Sequence, residues 1–224
     1  MPRSVVQSAQ RYPLTTILGT ETNVRLLREL SRHGGQLSAP SLVSRTGLAK
    51  TSVWAGLTSL EDTGVVLVAG TGRARLYSLR VDHPLHSALG ALFEAEERRF
   101  EAVLDAIRAA AGGCEPAVLA VWVYGSVARG QDRPGSDFDI AVLATDEAPA
   151  SVSDTMRESL QQAGSSLGFT PSVVSICKQD ASRLARERDP WWAGIVRDAI
   201  VVLGPRPDEV VRAHRARHGA RVLA

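Results

Sequence analysis

A glycine–serine pair and two aspartates stand close together in the string GSVARGQDRPGSDFDIAV, residues 125–142. Gly125 has no side chain, so its backbone N–H can approach an anionic oxygen closely, and the Ser126 hydroxyl adds a donor. Asp137 and Asp139 are two residues apart, so on a strand their carboxylates leave on one face. Adjacent carboxylates repel unless a cation neutralises them, and Mg²⁺ binds carboxylates together with substrate phosphates. This spacing therefore predicts a site for a metal-bound nucleoside triphosphate.

Two apolar runs must position these residues. Residues 117–124 (AVLAVWVY) are apolar, β-branched or aromatic, have the length of a strand, and end abruptly at Gly125. A second strand begins near Phe138 and continues as FDIAVL. A glycine–serine turn or an acidic residue at a strand start, taken alone, would indicate only an ordinary hairpin turn. Here strand, turn and second strand all indicate the same site.

The string resembles the signature of the DNA polymerase β superfamily of nucleotidyltransferases, in which Asp-x-Asp follows Gly-Ser by about ten residues, and it looks most like the small, minimal branch. The resemblance implies transfer of a nucleoside monophosphate from a triphosphate to a hydroxyl, with Mg²⁺ or Mn²⁺ as cofactor. It assigns metal binding and catalysis to Asp137 and Asp139, and triphosphate binding to Gly125, Ser126, Arg129 and Ser136.

The sequence departs from that family pattern on the next predicted strand, residues 169–177. In the superfamily this strand usually carries a third carboxylate, which serves as general base and touches the metal, and Ser172 stands at that position. A serine does not titrate near neutral pH and adds no charge to a metal site. Asp137 and Asp139 can still bind a metal, but the absence of a base at position 172 favours a non-catalytic role over turnover.

Upstream, the pattern predicts three helices and a hairpin. A first helix begins near Thr22 and stops at Gly34, a second has Ser38 as N-cap and ends at Gly47, and a third begins near Ala49. The third helix has a buried stripe of Val53, Leu57 and Leu60. Two short β-type runs, joined by a glycine-rich turn at residues 70–72, follow. Three helices followed by a hairpin predict a winged helix.

The second and third helices resemble the helix-turn-helix of bacterial regulators of the multiple-antibiotic-resistance and arsenic-repressor type, most closely in the string TGLAKTSV at residues 46–53. In that geometry the third helix enters the major groove and the wing reaches phosphates or the minor groove. Winged helices also serve as protein-docking or dimer modules. The residues expected to face DNA are Lys50, Thr51, Ser52, Trp54 and Thr58 on the helix, with Arg73 and Arg75 on the wing.

Charge and cysteine usage limit the classes of partner. Residues 1–82 carry ten Lys/Arg against five Asp/Glu, whereas the remainder has sixteen against nineteen. The basic excess favours a polyanion partner for the first domain, although such an excess is also common on solvated surfaces. Cys114 and Cys177 lie far apart, which predicts neither a disulfide framework nor a zinc site. This cysteine usage is what a reducing cytoplasm favours, so we expect a cytoplasmic protein. No apolar run reaches the length of a membrane span, and the first twenty residues have no signal-peptide core.

We therefore predict an α+β protein with an N-terminal winged helix of three helices plus a β-hairpin, a long linker helix, and a C-terminal nucleotidyltransferase-type mixed sheet flanked by helices. A second face of the linker helix would suit a homodimer, as a palindromic operator requires. The predicted boundaries are an arm at 1–20, the winged helix at 21–82, the linker helix at 83–113, the nucleotidyltransferase domain at 114–205 and a basic tail at 206–224.

Three functions fit this organisation. The first is a regulator of double-stranded DNA that, in its active form, transfers a nucleoside monophosphate to a protein or other hydroxyl, in an antitoxin-like version to a partner toxin. The second is a non-catalytic transcription factor whose second domain senses a nucleotide or dimerises, and Ser172 favours it. The third is an enzyme that acts on nucleic acid and uses the winged helix to dock its substrate.

Overall fold

The computed structural model describes residues 14–145 and 149–222. These described residues divide into two compact units, one ending at Glu97 and the other beginning at Arg98. Residues 1–13 of the predicted arm and residues 223–224 of the predicted tail lie outside the described residues, and the predicted domain boundaries stay predictions. No helix in the described ranges is both long and apolar enough to span a membrane.

The first unit is built from short helices and a small sheet. Its elements are α1 (Leu14–Ile17), α2 (Glu21–His33), β1 (Leu37–Ser38), α3 (Ala39–Thr46), α4 (Lys50–Asp62), β2 (Val66–Ala69), a 3₁₀ turn (Gly72–Ala74), β3 (Leu76–Leu79) and the first part of α5 (His86–Gly112). The strands are antiparallel in the order β1-β3-β2. Helices α2, α3 and α4 and the β2–β3 hairpin make the predicted winged helix. Two elements were not predicted: strand β1, and the short helix α1 within the predicted arm, whose Ile17 is buried in the core of this unit.

Local signals explain where these helices begin and end. The hydroxyl of Ser38 accepts a hydrogen bond from the backbone N–H of Ser41 at 3.3 Å, so Ser38 is the N-cap of α3, as predicted. Gly47 ends α3 in the left-handed conformation, with φ of 68°. Val53, Leu57 and Leu60 of α4 are buried in the core of the unit, which confirms the predicted stripe.

The second unit contains a four-stranded mixed sheet with helices on both faces. Besides the end of α5, its elements are β4 (Val118–Val123), α6 (Gly125–Ala128), β5 (Phe138–Ala144), α7 (Pro149–Leu167), β6 (Pro171–Ile176), α8 (Lys178–Glu187), α9 (Pro190–Asp198), β7 (Ile200–Leu203) and α10 (Pro207–Val222). The strand order is β6-β5-β4-β7, where only β5 and β6 run parallel.

Alternation along β5 divides the core of this unit into two layers. Ile140 and Val142 pack in one cluster with residues of α5 and α7, whereas Ala141 and Leu143 pack in another with α9 and α10. Asp139 has the same parity as Ala141, so its side chain leaves the sheet on the α9 face. The α10 residues Val210 and Val211 are buried in this layer, so the basic C-terminal segment includes a packed helix.

Strand β6 is one of the two edge strands of the sheet, and α7 packs against it. Arg157 on α7 donates from Nη2 to the carbonyl oxygen of Val173 at 2.6 Å, and from Nη1 to Asp154. On the inner side, the amide of Phe138 donates to the carbonyl of Thr170 at 2.8 Å, where β5 and β6 begin to pair.

Candidate active site

The two predicted metal-binding aspartates lie at the start of β5. Asp139 is the second residue of the strand and is partly buried, and Asp137 immediately precedes the strand and is exposed. Burial raises the pKa of the Asp139 carboxyl, the negative charge of Asp137 raises it further, and Arg129 lowers it. A carboxylate that loses water beside a second carboxylate is costly without a neighbouring positive charge, which is the electrostatic condition that favours cation binding.

The predicted glycine–serine turn meets Asp139 directly. Gly125 has a φ of 77°, and a Cβ atom built on it would lie 2.2 Å from Oδ2 of Asp139. The backbone N–H of Tyr124 donates to the Asp139 carbonyl at 3.0 Å, which fixes the end of β4 to the start of β5. The backbone angle at position 125 favours glycine, and any side chain there would have to displace the Asp139 carboxylate. Gly125 and Asp139 are therefore in one site.

Ser126 and Ser136 lie in the two segments that border this site. Ser126 is partly exposed in α6, and its carbonyl accepts from the amide of Gln131 at 2.9 Å. Ser136 precedes Asp137, and its hydroxyl accepts from the amide of Arg133 at 3.0 Å, while its own amide donates to the Arg133 carbonyl at 2.9 Å. Ser136 thus closes a tight turn before β5.

Arg129, predicted to bind phosphate, pairs with an aspartate that the sequence did not single out. Its Nη1 donates to Oδ2 of Asp198 at 2.8 Å, and its Nε donates to the side-chain oxygen of Gln131 at 3.0 Å. Asp198 also accepts two hydrogen bonds from Arg197, at 2.7 and 2.8 Å. Hydrogen bonds from Arg197 and then Arg129 lower the pKa of Asp198 to about 2. Nothing near Asp198 in the sequence predicts this contact, because Arg129 is 69 residues away.

The two adjacent tryptophans of α9 have different environments: Trp192 packs in the core, and Trp191 contacts the residue before the glycine–serine turn. Trp192 is buried and packs edge-on against Trp122 of β4, with ring centroids 6.0 Å apart. Trp191 is only partly buried, and its indole N–H donates to the Tyr124 hydroxyl at 3.1 Å. Because Tyr124 immediately precedes Gly125, Trp191 braces the entry to the turn.

Strand register puts Ser172 beside Asp139. The two residues are paired across the parallel β5 and β6 strands, so their side chains leave the sheet on the same face. A carboxylate at position 172 would stand next to the aspartate pair, whereas the hydroxyl present there adds no charge. Asp180 does not replace it, because its carboxylate caps α8, accepting from the Cys177 thiol at 3.1 Å and from Arg183 at 3.2 Å.

The donors present fit Mg²⁺ or Mn²⁺ only together with a phosphate ligand. Within the described ranges, no group of three or more His, Cys, Asp or Glu side chains is arranged to hold a metal ion. Mg²⁺ is commonly bound through one or two carboxylates plus substrate phosphates. Asp137 and Asp139, with the bare backbone of Gly125 alongside, match that donor set.

In the first unit, the residues expected to face DNA lie on the surface of α4. Lys50, Thr51, Trp54 and Thr58 are exposed and Ser52 is partly exposed, on the side opposite the buried stripe. Trp54 retains 39% of its accessible area, so part of its ring is open to solvent.

The wing arginines differ in what the structure describes of them. Arg75 just precedes β3, and its guanidinium pairs with Glu61 at 2.6 Å and lies over the Tyr77 ring. Arg73 lies in the 3₁₀ turn, and its side chain is outside the described part of the structure. Lys50, Trp54 and Arg75 line one cavity, so helix and wing residues do come together.

Comparison with known proteins agrees with the site in the second unit. Residues 114–187, about a third of the chain, match the family model described as "Polymerase beta, Nucleotidyltransferase". This match confirms the resemblance predicted from Gly125, Ser126, Asp137 and Asp139. No curated protein sequence matches the chain significantly.

Solved structures similar to the chain include transcriptional regulators and toxin–antitoxin proteins. A crystal structure of the AntR antimony-specific transcriptional repressor is 24% identical, covers 45% of this chain and 91% of its own, and has a TM-score of 0.36. An ArsR family transcriptional regulator is 21% identical, the match covers 43% of this chain and 95% of the regulator, and the TM-score is 0.30. A chain in a toxin–antitoxin crystal structure with AMP-PNP is 18% identical, the match covers 54% of this chain and 98% of that one, and the TM-score is 0.35.

Proposed function

We propose that this chain is a DNA-binding regulator whose second unit transfers a nucleoside monophosphate from a Mg²⁺-bound or Mn²⁺-bound nucleoside triphosphate to a protein hydroxyl. The observation that carries the proposal is the approach of the Gly125 turn to the Asp139 carboxylate, within a segment that matches the nucleotidyltransferase family model. A phosphate bound at the bare backbone of Gly125 would lie beside the two carboxylates.

The chemistry follows from this arrangement. The acceptor oxygen forms a bond to the α-phosphorus, the bond from that phosphorus to the bridging oxygen breaks, pyrophosphate leaves, and the hydroxyl proton passes to solvent. A divalent cation held by Asp137 and Asp139 would stabilise negative charge that develops on the phosphate oxygens. The residues proposed to bind and orient the triphosphate are Gly125, Ser126, Arg129 and Ser136.

The first unit is proposed to bind double-stranded DNA through α4. Its exposed Lys50, Thr51 and Trp54 lie at the N-terminal end of that helix, the end that reads bases in helix-turn-helix proteins. We propose a partner toxin as the acceptor, because the minimal nucleotidyltransferases that residues 125–142 resemble often modify such a partner. A homodimer on a two-fold operator completes the proposal.

A second function is favoured by Ser172. With a hydroxyl beside Asp139 in place of a third carboxylate, the site has no evident base for the acceptor proton and a smaller negative charge for the metal. In this alternative, the chain is a non-catalytic transcription factor whose second unit senses a nucleotide without turnover or mediates dimerisation.

Transfer of label separates the two functions. The protein is incubated with α-³²P-labelled ATP, GTP, CTP or UTP and Mg²⁺ or Mn²⁺, alone and with cell extract, beside the double variant Asp137→Ala/Asp139→Ala. Label that reaches a protein and is lost in the double variant supports the proposed transferase. Label on nucleic acid would instead support an enzyme that acts on nucleic acid. Nucleotide binding without transfer to any acceptor would overturn the transferase and support the sensor.

A further inference from the structure

The Gly125–Ser126 turn is held from outside by α9. Two side chains of this helix contact the residues that flank the turn: Trp191 donates to the Tyr124 hydroxyl on one side, and Asp198 accepts from Arg129 on the other. The contacts come from opposite ends of α9, which begins at Pro190 and ends at Asp198. One helix therefore anchors the chain on both sides of the predicted phosphate-binding turn.

Asp198 lies at the surface of the unit under two arginines. Its side chain retains 6% of its accessible area because Arg129 and Arg197, which are themselves solvent-accessible, cover it and donate to it. Two guanidinium charges against one carboxylate leave this cluster with a net positive charge. A single exposed ion pair between long side chains holds its geometry poorly, whereas a carboxylate that accepts three hydrogen bonds from two guanidinium groups restrains both partners more strongly.

The orientation of Arg129 is thereby constrained. Its Nη1 bonds Asp198 and its Nε bonds Gln131, and two hydrogen bonds to a planar guanidinium define its plane. Among the described residues, its remaining nitrogen, Nη2, has no hydrogen-bond partner. The positive charge of Arg129 also acts on Asp139, so the guanidinium belongs to the same electrostatic environment as the metal-binding aspartates.

We propose that Asp198 is a positioning residue that holds Arg129 with its Nη2 edge toward the phosphates of the bound nucleoside triphosphate. The inference rests on the proposed function of the second unit and deepens it. A free arginine must give up rotamer freedom when it binds phosphate, and the Asp198 contact removes that freedom beforehand. Asp198 thus contributes to triphosphate affinity only through Arg129.

The test is a set of dissociation constants for Mg²⁺-bound triphosphates, measured by calorimetry on the full chain. We expect Asp198→Ala to weaken binding by about threefold to tenfold, the size of one side chain's ordering cost. Asp198→Asn, which keeps the shape and one acceptor oxygen, should fall between. The double variant Arg129→Ala/Asp198→Ala should bind no more weakly than Arg129→Ala alone, because Asp198 then has nothing to position.

Controls distinguish positioning from general damage. Asp154→Ala removes another aspartate–arginine pair of the same unit, on the exposed side of α7, and should leave affinity unchanged. The same nucleoside without phosphates should bind equally to wild type and Asp198→Ala, and the thermal unfolding of each variant identifies loss of fold. An effect of Asp198→Ala that persists in full in the Arg129→Ala background would overturn the inference.

The charge of Asp198 makes a second outcome informative. If Asp198 had no positioning role, removing its negative charge beside a phosphate site would tighten triphosphate binding. Unchanged or tighter binding by Asp198→Ala would therefore mean that Asp198 only offsets positive charge, and this result would also overturn the inference. If wild type binds triphosphate, such a result leaves the proposed nucleotide function intact. If wild type binds none of the four triphosphates with Mg²⁺ or Mn²⁺, both fail.

Discussion

Gly125 lies so close to Asp139 that a methyl group on its Cα would occupy the space of the carboxylate oxygen, with 2.2 Å between the added Cβ and Oδ2. The glycine is therefore favoured by its neighbour as well as by its backbone angle. This relationship joins the two halves of the candidate active site, and it leads to the first prediction.

Gly125→Ala should abolish binding of Mn²⁺ with triphosphate, because the Asp139 carboxylate has to rotate away from the new methyl group. The matched control is Gly130→Ala, which also has a positive φ, of 63°, but open space around its Cα. Both alanines carry the backbone cost of a positive φ, about 1–2 kcal/mol, so both should unfold more easily. Calorimetric titration with Mn²⁺ and triphosphate measures the difference, and equal affinities for the two variants would contradict the prediction.

Ser172→Asp should strengthen Mn²⁺ binding by about tenfold or more, because it adds a carboxylate next to Asp139. Val174→Asp is the control, since residue 174 is on the same face of β6 but pairs with Ala141, one step farther from the site. Without metal, Ser172→Asp should be the less stable of the two, because its new charge faces a carboxylate. Mn²⁺ titration followed by electron paramagnetic resonance measures both variants, and similar Mn²⁺ affinities for them would show that residue 172 does not reach the metal.

Lys50→Gln should weaken binding to duplex DNA and reduce the slope of log K against log salt concentration by about 0.9, the value for one phosphate contact. The chain has two lysines, and the control is the other one, Lys178→Gln, at the start of α8 in the second unit. Fluorescence anisotropy with a labelled duplex at several salt concentrations gives both slopes. A slope for Lys50→Gln equal to that of wild type would exclude a phosphate contact by this residue.

Two glycine-to-alanine changes in the helices of the first unit should have opposite effects on stability. At Gly56 of α4 an added Cβ would lie 2.7 Å from Leu26 Cδ1 and from Thr22 Cγ2, so overpacking of about 1–3 kcal/mol should exceed the gain in helix propensity. At Gly90 of α5 nothing lies within 4 Å, so alanine should stabilise by about 0.5–1 kcal/mol. Thermal unfolding measures both, and stabilisation by Gly56→Ala would show that α2 and α4 pack loosely.

The acid stability of the second unit should depend on Asp198. Its pKa falls from the ordinary value of 3.8 to about 2 on folding, so its ionised form contributes stability above pH 4, and this contribution is lost as the pH falls toward 2. The difference in unfolding free energy between wild type and Asp198→Asn should be constant at neutral pH and shrink between pH 4 and 2. Urea unfolding at a series of pH values measures it, and a difference that does not change with pH would contradict the prediction.

Local patterns were sufficient for much of the fold. Ser38 and Gly47 bound α3 as predicted because capping depends on residues within one turn, and the apolar stripe of α4 follows from helical spacing. The strand–turn–strand arrangement around Gly125 was predicted for the same reason. Its short helix, α6, was not predicted, since four residues carry no measurable periodicity.

Long-range partners were not predictable from one sequence. Asp198 gives no local signal of its pairing with Arg129, and the adjacent Trp191 and Trp192 differ in burial only because α9 packs with one side toward Trp122. At Cys177 the prediction ended a strand, whereas β6 ends at Ile176 and the cysteine caps α8, because a thiol is an unusual capping group. These contacts form only when distant segments meet.

The hydrogen bond from Arg157 to the Val173 carbonyl also affects how the protein behaves when concentrated. Thr170 directs its carbonyl inward to β5, so by alternation Pro171 and Val173 direct their backbone groups to the open edge. At that edge Pro171 lacks an N–H, and the Val173 carbonyl is already occupied by Arg157. A strand from another molecule would find two pairing positions of β6 closed, so this edge of the sheet resists edge-to-edge aggregation.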